Sequence, residues 1–410
     1  MSRDEQGSNL RVGRQASLIW SRLDGVDLLR GVAICMVLMN HVNMRLLGAN
    51  VPYADGLPRQ LVSSLVWNGQ FGVQIFFVIS GFLITSTTLR RWGSVSAVNV
   101  GDFYRLRFAR IAPLMVLVLV ILSLLHFAGV KDFVVYRKTG GLGRALVAAL
   151  TFHVNLLEAR RGYLPASWDI LWSLSVEEMF YLGFPLACRV FRRVSLLSAL
   201  LFVFVLLGPF ARSQPFNHNP VWREYSYLGG MDAIALGCLT ALLSAKARLS
   251  STTLRVLGTA GMMMLVFVLC FSVIAHRWGL GRTGLDMTVL GLGVCMMLVV
   301  VAQTRWQAPR SLGPMVLMGR LSYEVYLTHV FVVLSLFHLF LIVDKPVRAV
   351  PVMFLAVLLL SGALGAFVSR GYSEPLNRWL RARWVKDATR VGSVLQAEAM
   401  IVKSNDVLSL

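Results

Sequence analysis

The chain has 410 residues, of which 56% are hydrophobic and only 15% charged, and its formal net charge is +20 at pH 7. Because soluble domains contain about 25% charged residues, this composition excludes an ordinary soluble protein and indicates one that crosses a membrane many times. The basic residues are dispersed among apolar segments instead of gathered on one domain, which argues against a nucleic-acid-binding protein.

Long apolar runs predict an all-α fold, a polytopic transmembrane helix bundle of about ten spans, since runs of about 15–25 residues can cross a bilayer. A polar, basic arm at residues 1–22 precedes a membrane domain at 23–385, and a short tail follows at 386–410. A further apolar run, Gly143–Leu157, is too short to cross and predicts an interfacial or re-entrant helix on the outer side. The predicted spans are Leu28–Leu47, Phe71–Leu89, Ile111–Val130, Ile170–Arg189, Val194–Phe210, Met231–Ala245, Leu254–Ala275, Leu285–Ala302, Met315–Ile342 and Val350–Val368.

The distribution of basic residues between the spans predicts the orientation. Arginines and lysines concentrate in the N-terminal arm, at 90–110, at 189–193, at 246–255 and in the tail, alternating with connections that are less basic for their length. The third connection is also basic, but long loops weigh less in the positive-inside rule. We therefore expect both termini in the cytoplasm and a multi-pass protein of the cell inner (plasma) membrane.

The first predicted span carries two ionisable groups that are costly inside a bilayer, Arg30 near its start and His41 near its end. Eleven positions separate them, about three helical turns and roughly 16 Å, so both project from nearly the same face. Asp27 lies three residues before Arg30 and is close enough to pair with it. This face predicts a functional site in the membrane.

The fourth span contains two successive carboxylates, Glu177 and Glu178, in the string SWDILWSLSVEEMFY. Ser173, Glu177 and Tyr181 share one helix face. Because two adjacent carboxylates cannot both face lipid, we expect one to line a polar cavity and the other to pair with an arginine or stay protonated.

The ninth span places Ser322, Tyr326 and His329 on one polar stripe. Such a stripe either holds helices together by hydrogen bonds or lines a site. Counted from the inner ends, His329, His41 and the two glutamates fall at comparable depth, which a shared site requires but does not by itself establish.

Three further patterns admit less specific readings. Arg107 and Arg110, three residues apart before the third span, form either a positive-inside signal or a fork for phosphate groups. Small residues in the second span, Gly72, Ser80 and Gly81, favour close helix packing over chemistry. No cluster of histidine, cysteine, aspartate or glutamate has metal-ligand spacing, so no metal site is predicted.

Seven strings occur in an order that resembles the acyltransferase family 3 integral-membrane proteins, which include O-antigen and exopolysaccharide O-acetyltransferases. The resemblance covers about residues 23–383, and the strings are DLLRG with His41, FFVISGFLIT, RFARIAP, WSLSVEEMFY, DAIALG, SYEVYLTH and YSEPLNR with Glu374. It implies transfer of an acyl group, usually acetyl, from cytoplasmic acyl-CoA to a hydroxyl of a carbohydrate or lipid-linked glycan.

The resemblance also implies site residues by motif position. Arg30 and His41 would be the essential pair of the first span, with His41 as the base and Arg30 stabilising negative charge. Arg107 and Arg110 would hold the coenzyme A phosphates at the inner surface. Roles in matched motifs would also fall to Glu177, Ser322, Tyr326 and His329.

Two departures from the family pattern affect these expectations. Leu106 replaces the first of two adjacent arginines in the inner basic motif, and Gly230 stands near the position where many relatives carry an arginine before Asp232. We therefore expect Asp232 to lack its usual partner. Some relatives carry a fused outer hydrolase-like domain, and without one this chain would complete the transfer itself or use a separate partner.

Two other functions fit the composition. A proton-coupled transporter also uses intramembrane histidine, glutamate and arginine, but it explains neither the seven strings nor the missing inverted repeat. A non-enzymatic receptor predicts a larger outer surface than these loops supply. The acceptor, the acyl chain length and the oligomeric state do not follow from the sequence.

Overall fold

The computed structural model describes residues 23–384, which form helices and, within that range, no strand. The predicted arm at 1–22 and the predicted tail at 386–410 lie outside the described residues. The helices in chain order are α1 (Asp24–Gly48), α2 (Arg59–Val66), α3 (Gly69–Trp92), α4 (Val100–Phe127), α5 (Gly141–Leu150), α6 (Val154–Arg161), α7 (Ala166–Asp169), α8 (Leu171–Val190), α9 (Val194–Arg212), α10 (Pro220–Tyr225), α11 (Tyr227–Lys246), α12 (Ser251–Cys270), α13 (Ser272–Arg277), α14 (Leu280–Thr283), α15 (Leu285–Thr304), α16 (Gly313–Arg320), α17 (Ser322–Ile342), α18 (Val350–Val368) and α19 (Glu374–Trp384).

An all-α polytopic bundle is confirmed. Between residues 23 and 384, nine helical segments are long and apolar enough to cross a membrane. The fourth predicted span is α8, a helix of 20 residues that Glu177 and Glu178 make more polar than those nine. The last predicted span, Val350–Val368, coincides with α18.

Several predicted boundaries were wrong. The ninth span is not one helix, because the chain breaks at Leu321 between α16 and α17. The third span begins at Val100, since Asn99 caps α4 by accepting a hydrogen bond from the Asp102 amide, and the inner basic motif therefore lies on the helix. The run Gly143–Leu157 forms parts of two short helices, α5 and α6, instead of one.

The centre of the bundle is the contact between α3 and α11, the two most buried of the long apolar helices. Glycines let their backbones approach: a methyl group added at Gly81 would overlap the Ile234 carbonyl oxygen, and one at Gly237 would overlap that of Val78. Helices α9 and α12 lie at the periphery, with most side chains exposed as expected of lipid-facing helices.

A second close contact joins α16 to α1. A methyl group at Gly319 would overlap the Asp27 carbonyl oxygen, and one at Gly31 would overlap that of Met315. Because the chain breaks at Leu321, α16 packs against α1 as a helix separate from α17. Helices α1, α3, α4, α8 and α17 surround a cavity.

Candidate active site

The cavity has a volume of about 460 Å³ and its wall is rich in arginine. Arg30 and Arg107 in its wall are half-buried, whereas the others are exposed and mark its mouth. We call these exposed residues the arginine rim: Arg90, Arg91, Arg110 and Arg381, from helices α3, α4 and α19. A volume of this size suits a small-molecule site, and the rim selects for an anion.

Glu177 is the polar centre of the cavity wall. Its Oε1 accepts hydrogen bonds from Ser80 Oγ at 2.5 Å and from Tyr181 Oη at 2.6 Å. Arg107 Nη2 donates to the same oxygen at 3.2 Å. Three helices thus meet on one carboxylate, because α3 supplies Ser80, α4 supplies Arg107 and α8 supplies the other two residues.

Arg107 is held by carboxylates more firmly than the sequence predicts. Its Nε and Nη2 donate to Glu178 Oε1 at 3.1 and 2.8 Å, and its guanidinium lies 3.6 Å above the Tyr181 ring. Glu178 is buried, while Glu177 lines the cavity. The expected division therefore occurs, with one glutamate lining a cavity and the other paired with an arginine.

Arg107 and Arg110 do not present a uniform fork. The donors of Arg107 already serve Glu177 and Glu178, whereas Arg110 belongs to the arginine rim and lies 5.9 Å from the Tyr323 ring centroid. Binding of coenzyme A phosphates by this pair stays a prediction, and the geometry favours Arg110 for it.

His41 and His329 contact each other, with ring centroids 4.9 Å apart at an interplanar angle of 57°. They come from α1 and α17, so the predicted agreement in depth corresponds to a direct contact. His329 is fully buried, and its Nδ1 bonds the Tyr326 carbonyl oxygen at 2.7 Å. Its Nε2 is buried without a hydrogen-bond partner among the described residues.

Only part of the predicted polar stripe of α17 faces the cavity. Ser322 and Tyr326 line the cavity, whereas His329 and its neighbour His41 are absent from the lining. Tyr326 Oη lies 2.5 Å from Ser173 Oγ, which also lines the cavity. We call Ser173, Ser322 and Tyr326 the floor of the cavity, and the sequence singled out all three.

Arg30 lines the cavity as the first-span prediction requires, and its Nη1 lies 3.9 Å from Asp27 Oδ1. Asp27 makes a shorter contact elsewhere, because Arg320 Nε donates to its Oδ2 at 3.1 Å. Arg320 also bonds Asp24 at 2.9 Å. Arg30 and Asp27 therefore belong to a network of charged groups that fixes α16 on α1.

The expectation that Asp232 lacks a partner was wrong. Arg212 Nη1 lies 2.8 Å from Asp232 Oδ1, and both side chains are buried. The arginine comes from α9 instead of from α11 itself. The glycine at position 230 therefore does not leave Asp232 without a partner. Arg212 also bonds the Gly284 carbonyl and Thr288 Oγ1, a set of contacts typical of a structural ion pair.

Glu374 lies apart from the cavity lining. It is exposed and pairs with Arg378 one turn later on α19, at 3.3 Å. The sequence reasoning missed two participants. Ser80, assigned to packing, bonds Glu177, and the rim position of Arg381 depends on how α19 packs against α4. No local signal distinguished either residue.

The comparisons with known proteins identify the family of the chain. A family model described as an acyltransferase domain matches residues 23–368. Peptidoglycan O-acetyltransferase OatA of Listeria monocytogenes is 26% identical over 328 residues, covering 74% of this chain and 48% of the relative. A putative O-acetyltransferase of Staphylococcus aureus strain COL is 24% identical over 347 residues, covering 77% and 51%.

A third relative, Nodulation protein 10 of Rhizobium leguminosarum bv. viciae, is 31% identical over 208 residues, covering 47% of this chain and 53% of the relative. The chain spans about half the length of the relatives it matches. No solved structure matches it.

Proposed function

This chain belongs to the acyltransferase family whose domain model matches residues 23–368, and from that premise we propose that it is a membrane-bound O-acyltransferase. It moves an acyl group, most simply acetyl, from cytoplasmic acyl-CoA to a hydroxyl of a cell-surface or exported carbohydrate. The apolar helices make the chain a multi-pass membrane protein, and we assign it to the cell inner membrane.

The observation that carries the proposal is the position of the histidine pair relative to the arginine-lined cavity. The arginine rim suits a donor that carries several phosphates, because guanidinium groups bind phosphate oxygens in pairs. The thioester arm would extend from the rim towards Ser173 and Tyr326. The ring of His329 lies 5.8 Å from that of Tyr326, and His41 follows directly behind it.

The transfer requires a base, because a hydroxyl is a poor nucleophile until its proton is removed. His41 takes the proton of the acceptor hydroxyl while that oxygen forms a bond to the acyl carbon. The carbon–sulfur bond then breaks, and the coenzyme A thiolate leaves with the proton from the His41 imidazolium. The products are the O-acyl ester and free coenzyme A.

Arg30 acts on the donor side of this reaction. It lies roughly 16 Å along α1 from His41 and lines the cavity, so the two side chains do not contact one carbonyl group. Its positive charge supports the donor phosphates or the upper part of the thioester arm, together with the arginine rim. Of the two roles expected for Arg30, the geometry favours the donor role over stabilisation of the tetrahedral intermediate.

The acceptor belongs to the opposite side of the histidine pair. Among the relatives, one is described as a peptidoglycan O-acetyltransferase, which makes a glycan or lipid-linked glycan the class to test first. His41 is followed one turn later by Arg45, which pairs with Asp132 at 3.4 Å. This ion pair places polar groups next to His41 on α1, and we assign the acceptor to that side.

The test is transfer of label from radiolabelled acetyl-CoA into glycan and lipid fractions of membranes that contain the full chain. We compare the wild type with His41→Ala and with His338→Ala, a matched histidine on the exposed face of α17. Label that His41→Ala abolishes and His338→Ala preserves supports the proposal. Absence of label from folded wild-type protein contradicts it and favours the proton-coupled transporter.

A further inference from the structure

The cavity and the histidine pair are adjacent but not connected. The cavity wall contains Ser173, Tyr326 and Phe76, whereas neither His41 nor His329 contributes to it. A donor bound in the cavity as it stands therefore does not touch the base. If the proposed function holds, something between the two must move.

The side chain between them is Tyr326. Its ring packs edge-on to Phe76 on one side, with centroids 6.3 Å apart, and lies 5.8 Å from the His329 ring on the other. Its hydroxyl donates to the Ile170 carbonyl oxygen at 3.1 Å and shares a hydrogen bond with Ser173 Oγ at 2.5 Å. Ile170 directly precedes α8, and Ser173 lies in the first turn of that helix.

The attachment of Tyr326 is polar and local. Two hydrogen bonds between neutral groups hold its hydroxyl, and no charged group contributes to them. Neutral hydrogen bonds contribute modestly to a closed arrangement, so little free energy is needed to break them. Tyr326 is half-buried, in contrast to the fully buried His329 three residues later.

On the other side of Tyr326, a nitrogen of His329 can form a further hydrogen bond. His329 Nε2 is buried and has no hydrogen-bond partner within residues 23–384, although its Nδ1 is bonded. Buried polar atoms are nearly always satisfied, so a buried nitrogen without a partner is expected to gain one in another state of the protein.

We propose that Tyr326 is the barrier between the donor cavity and the His41–His329 pair, and that it must turn away from Ser173 before the acyl group reaches the histidines. The inference rests on the proposed function. The thioester remains intact during the passage, and the only bonds that change are those of the transfer itself. In the closed position Tyr326 keeps the thioester away from His41 and from the water that reaches it.

The test measures hydrolysis of acetyl-CoA by the full chain in lipid nanodiscs without a glycan acceptor. Water takes the place of the acceptor hydroxyl, gives its proton to His41 and attacks the acyl carbon, so the products are acetate and coenzyme A thiol. Tyr326→Phe removes both hydrogen bonds and keeps the ring, and Tyr326→Ala removes the ring as well. The matched control is Tyr372→Phe, which also loses a phenol hydrogen bond to a backbone carbonyl, that of Pro113, and lies outside the cavity lining.

We expect thiol release to rise at least about fivefold in Tyr326→Phe, since each of the two lost neutral hydrogen bonds shifts an equilibrium by about that factor. Tyr326→Ala should exceed it, Tyr372→Phe should match the wild type, and adding His41→Ala should cancel the rise. Binding of a non-hydrolysable acetyl-CoA thioether shows which variants are folded, and Tyr326→Phe decides the outcome if Tyr326→Ala is not.

A rise below about twofold in the folded variants overturns the barrier, because loss of a hydrogen bond that closes the passage shifts its equilibrium by more than that. A rise that persists with His41→Ala also overturns it. Either result leaves the proposed function intact if the wild type still transfers label from acetyl-CoA. Failure of the wild type to transfer label contradicts the proposed function itself.

Discussion

The rings of His41 and His329 lie 4.9 Å apart, although 288 positions of the chain separate them. The contact joins α1, which carries the proposed base, to α17, which carries the floor of the cavity. It also gives each histidine a distinct part. His41 is half-buried, whereas His329 is fully buried and bonded through Nδ1 to the backbone.

The two histidines should therefore differ in their effect on turnover. We expect His41→Ala to lower the rate of acetyl transfer by about 10²–10⁴-fold, the usual contribution of a general base. His329→Gln should lower the rate less, because it positions its neighbour, while affinity for a non-hydrolysable acetyl-CoA analogue stays unchanged in both variants. Equal losses in the two variants would contradict this division of roles.

The Arg107 network should be required for stability. Arg107→Gln leaves Glu177 and Glu178 adjacent without their cation, and breaking a buried pair in this way costs about 3–5 kcal/mol. Glu178→Gln keeps the pairing of Arg107 with Glu177 and should cost less. Thermal unfolding of the purified chain measures both effects.

Arg110→Gln is the comparison for that experiment. Arg110 is exposed at the arginine rim, so its removal should leave the unfolding temperature near that of the wild type and raise KM for acetyl-CoA. If Arg107→Gln instead raised KM without lowering the unfolding temperature, Arg107 would be a phosphate ligand and not part of the structural network.

The contact between α3 and α11 should not tolerate side chains at its glycines. Gly81→Ala would push a methyl group into the backbone of Ile234, and overpacking of this kind costs about 1–3 kcal/mol or more. Gly183→Ala on α8 is the control, because nothing lies within 4 Å of the added atom. Similar unfolding temperatures for the two variants would count against the packing described above.

A carboxylate pair in the connection between α4 and α8 should make stability depend on pH. Burial raises the pKa of Asp169 to about 6 and raises the pKa of Glu158 well above its usual value. Tyr225 donates to Asp169 at 3.2 Å, and Arg45 and Glu224 are the other charged groups that act on the pair.

The sign of the effect follows from proton uptake. The folded chain holds protons on Asp169 and Glu158 that the unfolded chain releases above about pH 4. The free energy of unfolding therefore falls as the pH rises from about 4 through 6. For Glu158 the fall continues to higher pH. Asp169→Asn with Glu158→Gln should flatten this decline in unfolding temperatures recorded between about pH 4 and 8. An unchanged slope would show that other groups cause it.

The sequence predicts most of the spans and several of the cavity-lining residues, because hydropathy, helical spacing and matched motifs are local signals. The span Val350–Val368 and the cavity-lining positions of Arg30, Glu177 and Tyr326 follow from such signals. Contacts between helices that are distant in the sequence do not follow from local signals. Nothing near Asp232 points to Arg212 on another helix, and nothing near Glu177 identifies Ser80 as its partner.

Helix boundaries failed for a related reason. Arginines at 105–110 lower the hydropathy of the start of α4, yet they lie on a continuous helix whose N-terminus is capped by Asn99. The break at Leu321 lies in the polar string GRLSYE, which the predicted span Met315–Ile342 includes. Beside it, Gly319 fits closely against the backbone of α1, a contact that the sequence does not show.

That fit has a consequence for how the reaction is tuned. The backbone joint of Gly31 and Gly319 fixes the register of α17 against α1, and Leu321 lies eight residues, roughly 12 Å, before His329. The alignment of the two imidazoles is thus set at a joint outside the cavity lining. Substitutions that shift this joint should change turnover without replacing any side chain that lines the cavity, so variation there would adjust the rate separately from the composition of the binding site.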